Sequence, residues 1–440
     1  MSLSGTNVSA DILRFAGDVK VEDVTITSMV SGLSFNVTNQ VVTIEFFEDM
    51  FSPFMTGALI LRESFDFANT LPIVGQEILD ITVSTPTLED SGGRISGKFY
   101  VYNMTDREEP SERSTIFRLG FITGEAIVDL NQKISRSYDG KISDIVQRLI
   151  TEETALSSEK RYNIEETKNK TKYISNYWSP VRNINFLLDN AVTIVGNPTY
   201  TFFENRNGFN FVSLDYLNDQ PAKQEFIYNN AEDMINKGGG SSRVPEREFK
   251  KITELRIGVS NDFLKNASSG VYRSRLKFND ITTKRYFDKK FSYLKDWGEE
   301  SKERRLNKYP IAANNVFSLY DSTIFHDIIV TQLFSNYGDV SNARVMQKRV
   351  SRLLQSMAYK IEIVVAGRLD YTVGQKVMVT TFKNQPIGRE DDVNAEKDKI
   401  VGGYYLIAAI NHIIDKEKHE CHMELIKDSL TMDLNKGGIW

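Results

Sequence analysis

From Val21 to about Val128 the chain runs through one strand-like segment after another, with no helical period between them. Val24 and Ile26 alternate with their neighbours. Val42, Ile44 and Phe46 then alternate against Phe35, Val37, Val41, Thr43 and Glu45, with a break of phase near Asn39. Gly57 to Leu61, Ile78 to Val83, Ile95 to Met104 and Ser114 to Ile127 follow, and Asp90-Ser91-Gly92-Gly93 marks a turn. A period of two sends successive side chains to opposite faces. So many such runs must pair with one another and bury a shared apolar face, which predicts an antiparallel sandwich or barrel.

The period then changes. Asp139 is placed to cap a helix in which Ile142, Ile145, Val146, Leu149 and Ile150 share one face. A Lys-rich polar stretch, Ser157 to Lys172, separates it from Ser179-Pro180, a helix start in which proline occupies a position whose amide has no partner. That helix carries Ile184, Leu187, Leu188, Ala191 and Val195 and ends at Gly196-Asn197-Pro198. A hairpin follows, Tyr200 to Glu204 and Phe209 to Leu214, turning through Asn207-Gly208. The middle of the chain therefore reads as an α/β unit.

Beyond it lies a polar region, Asn218 to Lys251, containing the linker-like Lys237-Gly238-Gly239-Gly240-Ser241-Ser242. Strands are expected at Thr253 to Val259 and Val271 to Phe278, and a solvated loop or short helix at Lys295 to Lys308. Ser341 can cap a helix to about Met357 with Val345, Val350, Leu353 and Leu354 inward and Arg344, Lys348, Arg349 and Arg352 outward. The β period returns at Lys360 to Ala366, Lys376 to Thr381, Tyr404 to Ile414 and His419 to Lys427, the last two joined as a hairpin by Asp415 to Lys418. The acidic, polar segment Lys383 to Lys399 reads as an excursion from this second β-rich part.

At 440 residues the chain has room for roughly two to four domains. Cys421 is the only cysteine, which excludes an intrachain disulfide and a Cys-based zinc cluster. A net charge of −5 lacks the basic footprint of broad nucleic-acid binding. No apolar run approaches the ~18 residues of a membrane span, and the start, MSLSGTNVSADILRF, lacks the basic and apolar regions of a signal peptide. Synthesis and assembly in a cytoplasm are expected.

The candidate site is His412, His419, Cys421 and His422. If Asp415 to Lys418 closes a hairpin, His412 lies across from Cys421 and beside His419 on one face. Such a trio can bind zinc or another transition metal. The plainer reading is a half-buried sheet face with Cys421 as a small hydrophobe, and a one-residue slip would separate the trio. Acid pairs occur at Glu48-Asp49, Glu108-Glu109, Glu152-Glu153, Glu299-Glu300 and Asp391-Asp392. Adjacency in sequence does not place two carboxyls about 5 to 10 Å apart across a cleft, as a glycosidase requires. Glu48-Asp49 lies in an aromatic stretch, where it can satisfy backbone amides or a subunit contact. No GxSxG, P-loop or HExxH motif is present. Trp178, Trp297 and Trp440 are too dispersed for a carbohydrate platform. No catalytic, cofactor-binding or metal residue is therefore assigned, and no enzyme activity is expected.

Three groups of stretches resemble baseplate hub proteins of contractile-tailed bacteriophages. Phe46-Phe47-Glu48-Asp49-Met50-Phe51-Ser52-Pro53-Phe54-Met55-Thr56-Gly57, leading to Leu71-Pro72-Ile73-Val74-Gly75-Gln76-Glu77, is similar to their first barrel. Tyr177-Trp178-Ser179-Pro180 and Tyr200-Thr201-Phe202-Phe203-Glu204 through Gly208-Phe209-Asn210-Phe211 resemble their middle domain. Gly374-Gln375-Lys376-Val377, Val401-Gly402-Gly403-Tyr404-Tyr405-Leu406-Ile407, His412 and Leu425-Ile426-Lys427-Asp428-Ser429 resemble their second barrel.

The resemblance implies an α+β fold: two tail-tube-like antiparallel β-barrel domains with an intervening α/β domain and peripheral helices. The expected layout is an arm at 1–20, a first barrel at 21–130 with strands within 250–295 as candidates to complete it, and an α/β domain at 131–217. A Gly-rich loop with returning strands at 218–310, a helical segment at 311–358, a second barrel at 359–432 and a tail at 433–440 complete it. It further implies a homotrimer whose six barrels form a pseudo-sixfold ring between tail tube protein and central spike protein in the virion baseplate, near baseplate wedge and tape measure proteins. DNA would pass through the lumen without specific binding. A tail-associated cell-wall hydrolase and a host-binding tail protein are the alternatives.

Overall fold

A computed structural model describes residues 13, 15–63, 73–88, 92–111, 114–228, 245–280, 284–296, 304–311, 323–329, 345–382, 397–416 and 418–434. The expected linker at 237–242, most of the excursion at 383–399, Ser341, Arg344, Trp297 and Trp440 lie outside them.

The alternating N-terminal region forms β1 (Lys20–Thr27), β2 (Ser34–Asn36), β3 (Val41–Asp49), β4 (Thr56–Glu63), β5 (Ile78–Ser84), β6 (Arg94–Ser111) and β7 (Ser114–Thr123). The phase break near Asn39 is a 3-10 turn at Thr38–Gln40. A second irregularity between Val41 and Thr43, a bulge against β4, explains why Val41 and Ile44 both turn inward. The run expected as strand to Ile127 stops at Thr123. There helix α1 (Gly124–Asn131) begins, with Ala126 as its buried residue.

The middle region holds β8 (Ser137–Lys141), α2 (Ile142–Thr151), β9 (Tyr162–Ile164), β10 (Lys170–Ile174), α3 (Pro180–Leu188), β11 (Tyr200–Asn205), β12 (Gly208–Ser213) and α4 (Leu214–Asp219). Ile142, Ile145, Val146, Leu149 and Ile150 of α2 are all buried, as their spacing requires. Asp139 does not cap that helix, because it belongs to β8 paired with β10. In α3 the Ser179 side chain accepts the Arg182 amide and Pro180 opens the first turn. The helix ends at Leu188, short of the expected Gly196. Gly208 is required at its turn: its φ is +120°, and a Cβ there would lie 1.9 Å from the Arg161 carbonyl.

The remaining strands are β13 (Glu225–Tyr228), β14 (Ile252–Ser260), β15 (Arg273–Asp280), β16 (Arg285–Ser292), β17 (Thr323–Ile329), β18 (Tyr359–Ala366), β19 (Lys376–Thr381), β20 (Gly403–Asp415) and β21 (His419–Lys427). Helices α5 (Phe263–Ser268) and α6 (Met346–Ser356) lie among them. Three expectations change. The strands within 250–295, candidates to complete an expected first barrel, do not pair with β1–β7: β14 pairs with β18, while β15 forms a separate sheet with β16 and β17. The segment 311–358 is not uniformly helical, because β17 runs parallel to β15 within it. Of Lys295 to Lys308, expected as a solvated loop or short helix, Lys295 and Asp296 belong to a short helix at Tyr293–Asp296, whereas Leu306 is buried and its amide donates to Asp428.

One sheet of 13 strands runs β14-β18-β21-β20-β3-β4-β7-β6-β5-β1-β2, with β19 also on β20 and β13 parallel to β19. Strands from the two ends of the chain meet where β3 pairs antiparallel with β20, Phe46 opposite His412. One apolar core lies under β1 and β3–β7, where Phe46, Phe99 and Phe121 pack at 4.9–5.8 Å between ring centroids. A second lies under β18–β21 and reaches Phe203, Leu214 and Phe226, and a third fills the middle region around α2 and α3.

Candidate functional site

The seam between β3 and β20 concentrates the buried polar chemistry. On β3, Glu48 points inward and Asp49 outward, so the acidic pair divides across the sheet. The Glu48 carboxylate accepts from Thr372 Oγ1 at 2.5 Å, from the Val373 amide at 3.1 Å and from the Arg206 amide at 3.1 Å. It ties β3 to the segment before β19 and to the β11–β12 turn. Burial raises its pKa, against the opposing pull of those bonds and of Arg206. Glu48 satisfies backbone amides, one of the two roles its aromatic setting offered.

Asp370, on the same segment, is held bidentately by Arg368 at 2.9 and 2.7 Å and by Lys223 at 2.8 Å. Burial would raise its pKa, but these two cations lower it below the usual carboxylate range.

Beside Glu48 the hairpin β20–β21 closes in the register that the sequence allowed. His412 pairs with Cys421, and Ile414 with His419. All three polar side chains are fully buried. His412 Nδ1 lies 3.0 Å from His419 Nε2, and Cys421 Sγ lies 3.3 Å from the first and 3.5 Å from the second. His422 falls on the opposite face, exposed. Burial lowers the His412 pKa to about 3, with Arg206 adding to the effect. His419 is held well below its ordinary value by burial and by His412, and burial raises the Cys421 thiol. The trio is therefore neutral near pH 7.

The described part of the N-terminal arm meets the backbone of this hairpin. The His419 amide donates to the Gly17 carbonyl at 2.8 Å, and the Gly367 amide donates to the His419 carbonyl at 2.8 Å. A Cβ at Gly367 would lie 2.2 Å from His419 Cγ, so only glycine fits against that ring.

Two further junctions carried no recognisable signal in the sequence. Glu204 of β11 is buried, and its carboxylate accepts from the Met55 amide at 3.0 Å, Thr123 Oγ1 at 2.7 Å and Lys160 Nζ at 2.6 Å. Lys160 also reaches Glu125 at 2.6 Å, so the middle region is clamped to β4, β7 and α1. Helix α6 was expected to turn its arginines to solvent. Instead its buried face is polar: Gln347, Ser351, Arg352, Gln355 and Ser356. Arg352 reaches Asp215 at 2.8 Å, Asp428 at 3.2 Å and the Arg304 carbonyl at 3.2 Å. Arg349 donates to the carbonyls of Pro198 and Tyr200 at 3.0 and 3.1 Å. A helical period read for apolar residues picks the wrong face when the partners are buried carboxylates. Lys427 is enclosed in a similar way: its Nζ donates to the carbonyls of Ile400, Val401 and Gly402 and lies 4.7 and 5.3 Å from the Tyr405 and Tyr359 rings.

The other acidic pairs behave as surface charge where they are described. Glu152 bridges Arg136 and Arg148, and Glu108 is exposed. The second residue of the 108–109 pair and the pairs at 299–300 and 391–392 lie outside the described side chains. Trp178 packs on Phe186 and Arg182 beside α3. Among the described residues no helix is long and apolar enough to cross a membrane.

Solved structures match this arrangement over nearly its whole length. A tail protein from Neisseria meningitidis MC58 superposes with a TM-score of 0.52 at 9% identity, covering 92% of this chain and 96% of that one. The fold is that of a phage-type tail protein. The 43 kDa tail protein of prophage MuSo2 from Shewanella oneidensis matches with a TM-score of 0.50 at 10% identity, covering 92% of this chain and 98% of its own. No protein-family profile matches the chain, and no curated protein sequence does. The likeness is one of tail-protein backbone with almost none of the sequence, so the clamps at Glu48, Glu204 and Arg352 have to be read from this chain alone.

Proposed function

We propose that this chain is a structural, non-catalytic subunit of a phage-type tail: a baseplate hub that joins the tail tube to the central spike. The observation that carries the reading is the tail-protein fold spanning 92% of the chain. The two apolar cores on one sheet support it further. If each half acts as one tube-like barrel, three chains present six similar edges to a hexameric tube and a threefold face to a spike. Exposed strand edges, a hazard for a lone chain, become pairing surfaces in such a ring. In this arrangement the tail tube and spike are the partners, wedge and tape measure proteins lie nearby, and DNA crosses the lumen unbound.

Native mass measurement tests the assembly. The expected species is about three times the 50.2 kDa chain, with ring-shaped particles that co-sediment with tube protein. A chain that stays monomeric alone and in the presence of both tube and spike proteins overturns the hub reading. Lysis of peptidoglycan, abolished by one Glu or Asp substitution, would replace it with a hydrolase.

A further inference from the structure

We propose that His412, His419 and Cys421 form a buried structural zinc site that cross-links β20 to β21 within their hairpin. The inference rests on donor geometry and burial, and does not depend on the hub reading.

Three donor atoms from one hairpin converge on a common point. Their separations are 3.0, 3.3 and 3.5 Å. Zinc bound tetrahedrally, with nitrogen at about 2.05 Å and sulfur at about 2.3 Å, places two nitrogens about 3.3 Å apart and a nitrogen and sulfur about 3.6 Å apart. The observed triangle comes within a few tenths of an ångström of that shape. An N₂S donor set suits zinc, a borderline-soft ion, and excludes calcium and magnesium, which take oxygen. The Arg368 carbonyl oxygen lies 4.0 Å from Sγ.

The metal-free alternative is a hydrogen-bonded trio with the same three separations. The distal nitrogens, His412 Nε2 and His419 Nδ1, are buried in both states and do not distinguish them; metal content does. An ion uses all three inward lone pairs at once. Binding displaces the thiol proton to solvent, leaving Zn²⁺ and thiolate with one net positive charge. Glu48 and Asp370, both within electrostatic reach of Cys421, offset that charge, although Arg206 opposes them. The backbone of Tyr371 lies within hydrogen-bonding reach of His412. It would become the outer partner of a metallated ring. Full burial means that the ion enters as the hairpin folds.

The test is elemental analysis of the full chain, expressed with zinc supplementation and dialysed against buffer. About one zinc per chain is expected. In Cys421→Ser the retained metal should fall about tenfold or more. Growth with cobalt should give the wild type a thiolate-to-cobalt absorption band that this variant lacks. Should the variant fail to fold, the cobalt spectrum and zinc content of the wild type decide alone. Substoichiometric zinc in folded wild-type protein, with no cobalt band, overturns the site. Copper at one per chain overturns the assignment to zinc.

Discussion

The half of the sheet built from β1–β7 and the half built from β13, β14 and β18–β21 share one hydrogen-bonded ladder but are filled differently. Under the first half most buried side chains are hydrocarbon, among them Ile44, Phe46, Leu59, Leu61, Ile81, Phe99, Leu119 and Phe121, with Glu48, Glu77 and a few hydroxyls at its margins. Around the second, apolar residues surround His412, His419, Lys427 and Asp428, and Arg352 of α6 reaches in to Asp428. An apolar core gains from area alone and tolerates many arrangements of similar volume. A buried ion or amide has only a few partners that satisfy it, so it dictates which elements meet. The first half is thus held mainly by burial, while the second is also told where α4 and α6 must dock.

The largest effect should come from breaking that instruction. Arg352→Ala leaves Asp215 and Asp428 buried around an empty site, and urea unfolding should show a loss of about 3–5 kcal/mol. Arg352→Met, which keeps the bulk, should recover part of it only if Asp215 and Asp428 are changed as well. A loss in Arg352→Ala below about 1 kcal/mol would mean that the clamp is as weak as a surface pair, and the contrast between the halves would fail.

In the first half, Leu59→Ala removes side-chain volume between Ile44 and Leu119, its register partners on β3 and β7. It should cost about 2–5 kcal/mol by the same measurement. No change in the docking of the middle region should accompany it, as judged by protease sensitivity of residues 157–172.

The smallest effect is a pH dependence. Burial lowers the Lys427 ammonium to about 7, whereas an unfolded lysine holds its proton to about 10.4. Between these values the unfolded chain binds more protons, so stability should rise as pH climbs from about 7 to 10. Lys427→Met should flatten that rise. An unchanged slope would show that the three carbonyls and two tyrosine rings keep the ammonium charged in the fold.

The same contrast explains what could be read from the sequence. Strand alternation placed β3, β4, β5, β18, β19, β20 and β21, because one buried face imposes a period of two on apolar residues. The α2 stripe and the Ser179-Pro180 start were equally plain. Even the His412–Cys421 pairing followed from a short hairpin turn. Hidden from such reading were short strands whose pattern is polar, β9 and β10, and the helix at Gly124 that follows β7 directly. Arg352 was misplaced for a different reason. Its partners, Asp215 and Asp428, stand 137 and 76 residues away, and nothing local announces them. The seam between β3 and β20 was hidden likewise, since pairing between distant strands leaves no periodic trace.

That seam has a consequence for how the chain is made. Thr43 and Asp415, bonded across it, are 372 residues apart. At a synthesis rate of about 5–20 residues per second, β3 waits roughly 20–70 seconds on the ribosome before its partner exists. Throughout that interval its edge, from Thr43 to Asp49, is an open template for other nascent chains. Ribosomes spaced along one message would hold several such edges close together, so the danger of mispairing peaks during translation, before any subunit is finished.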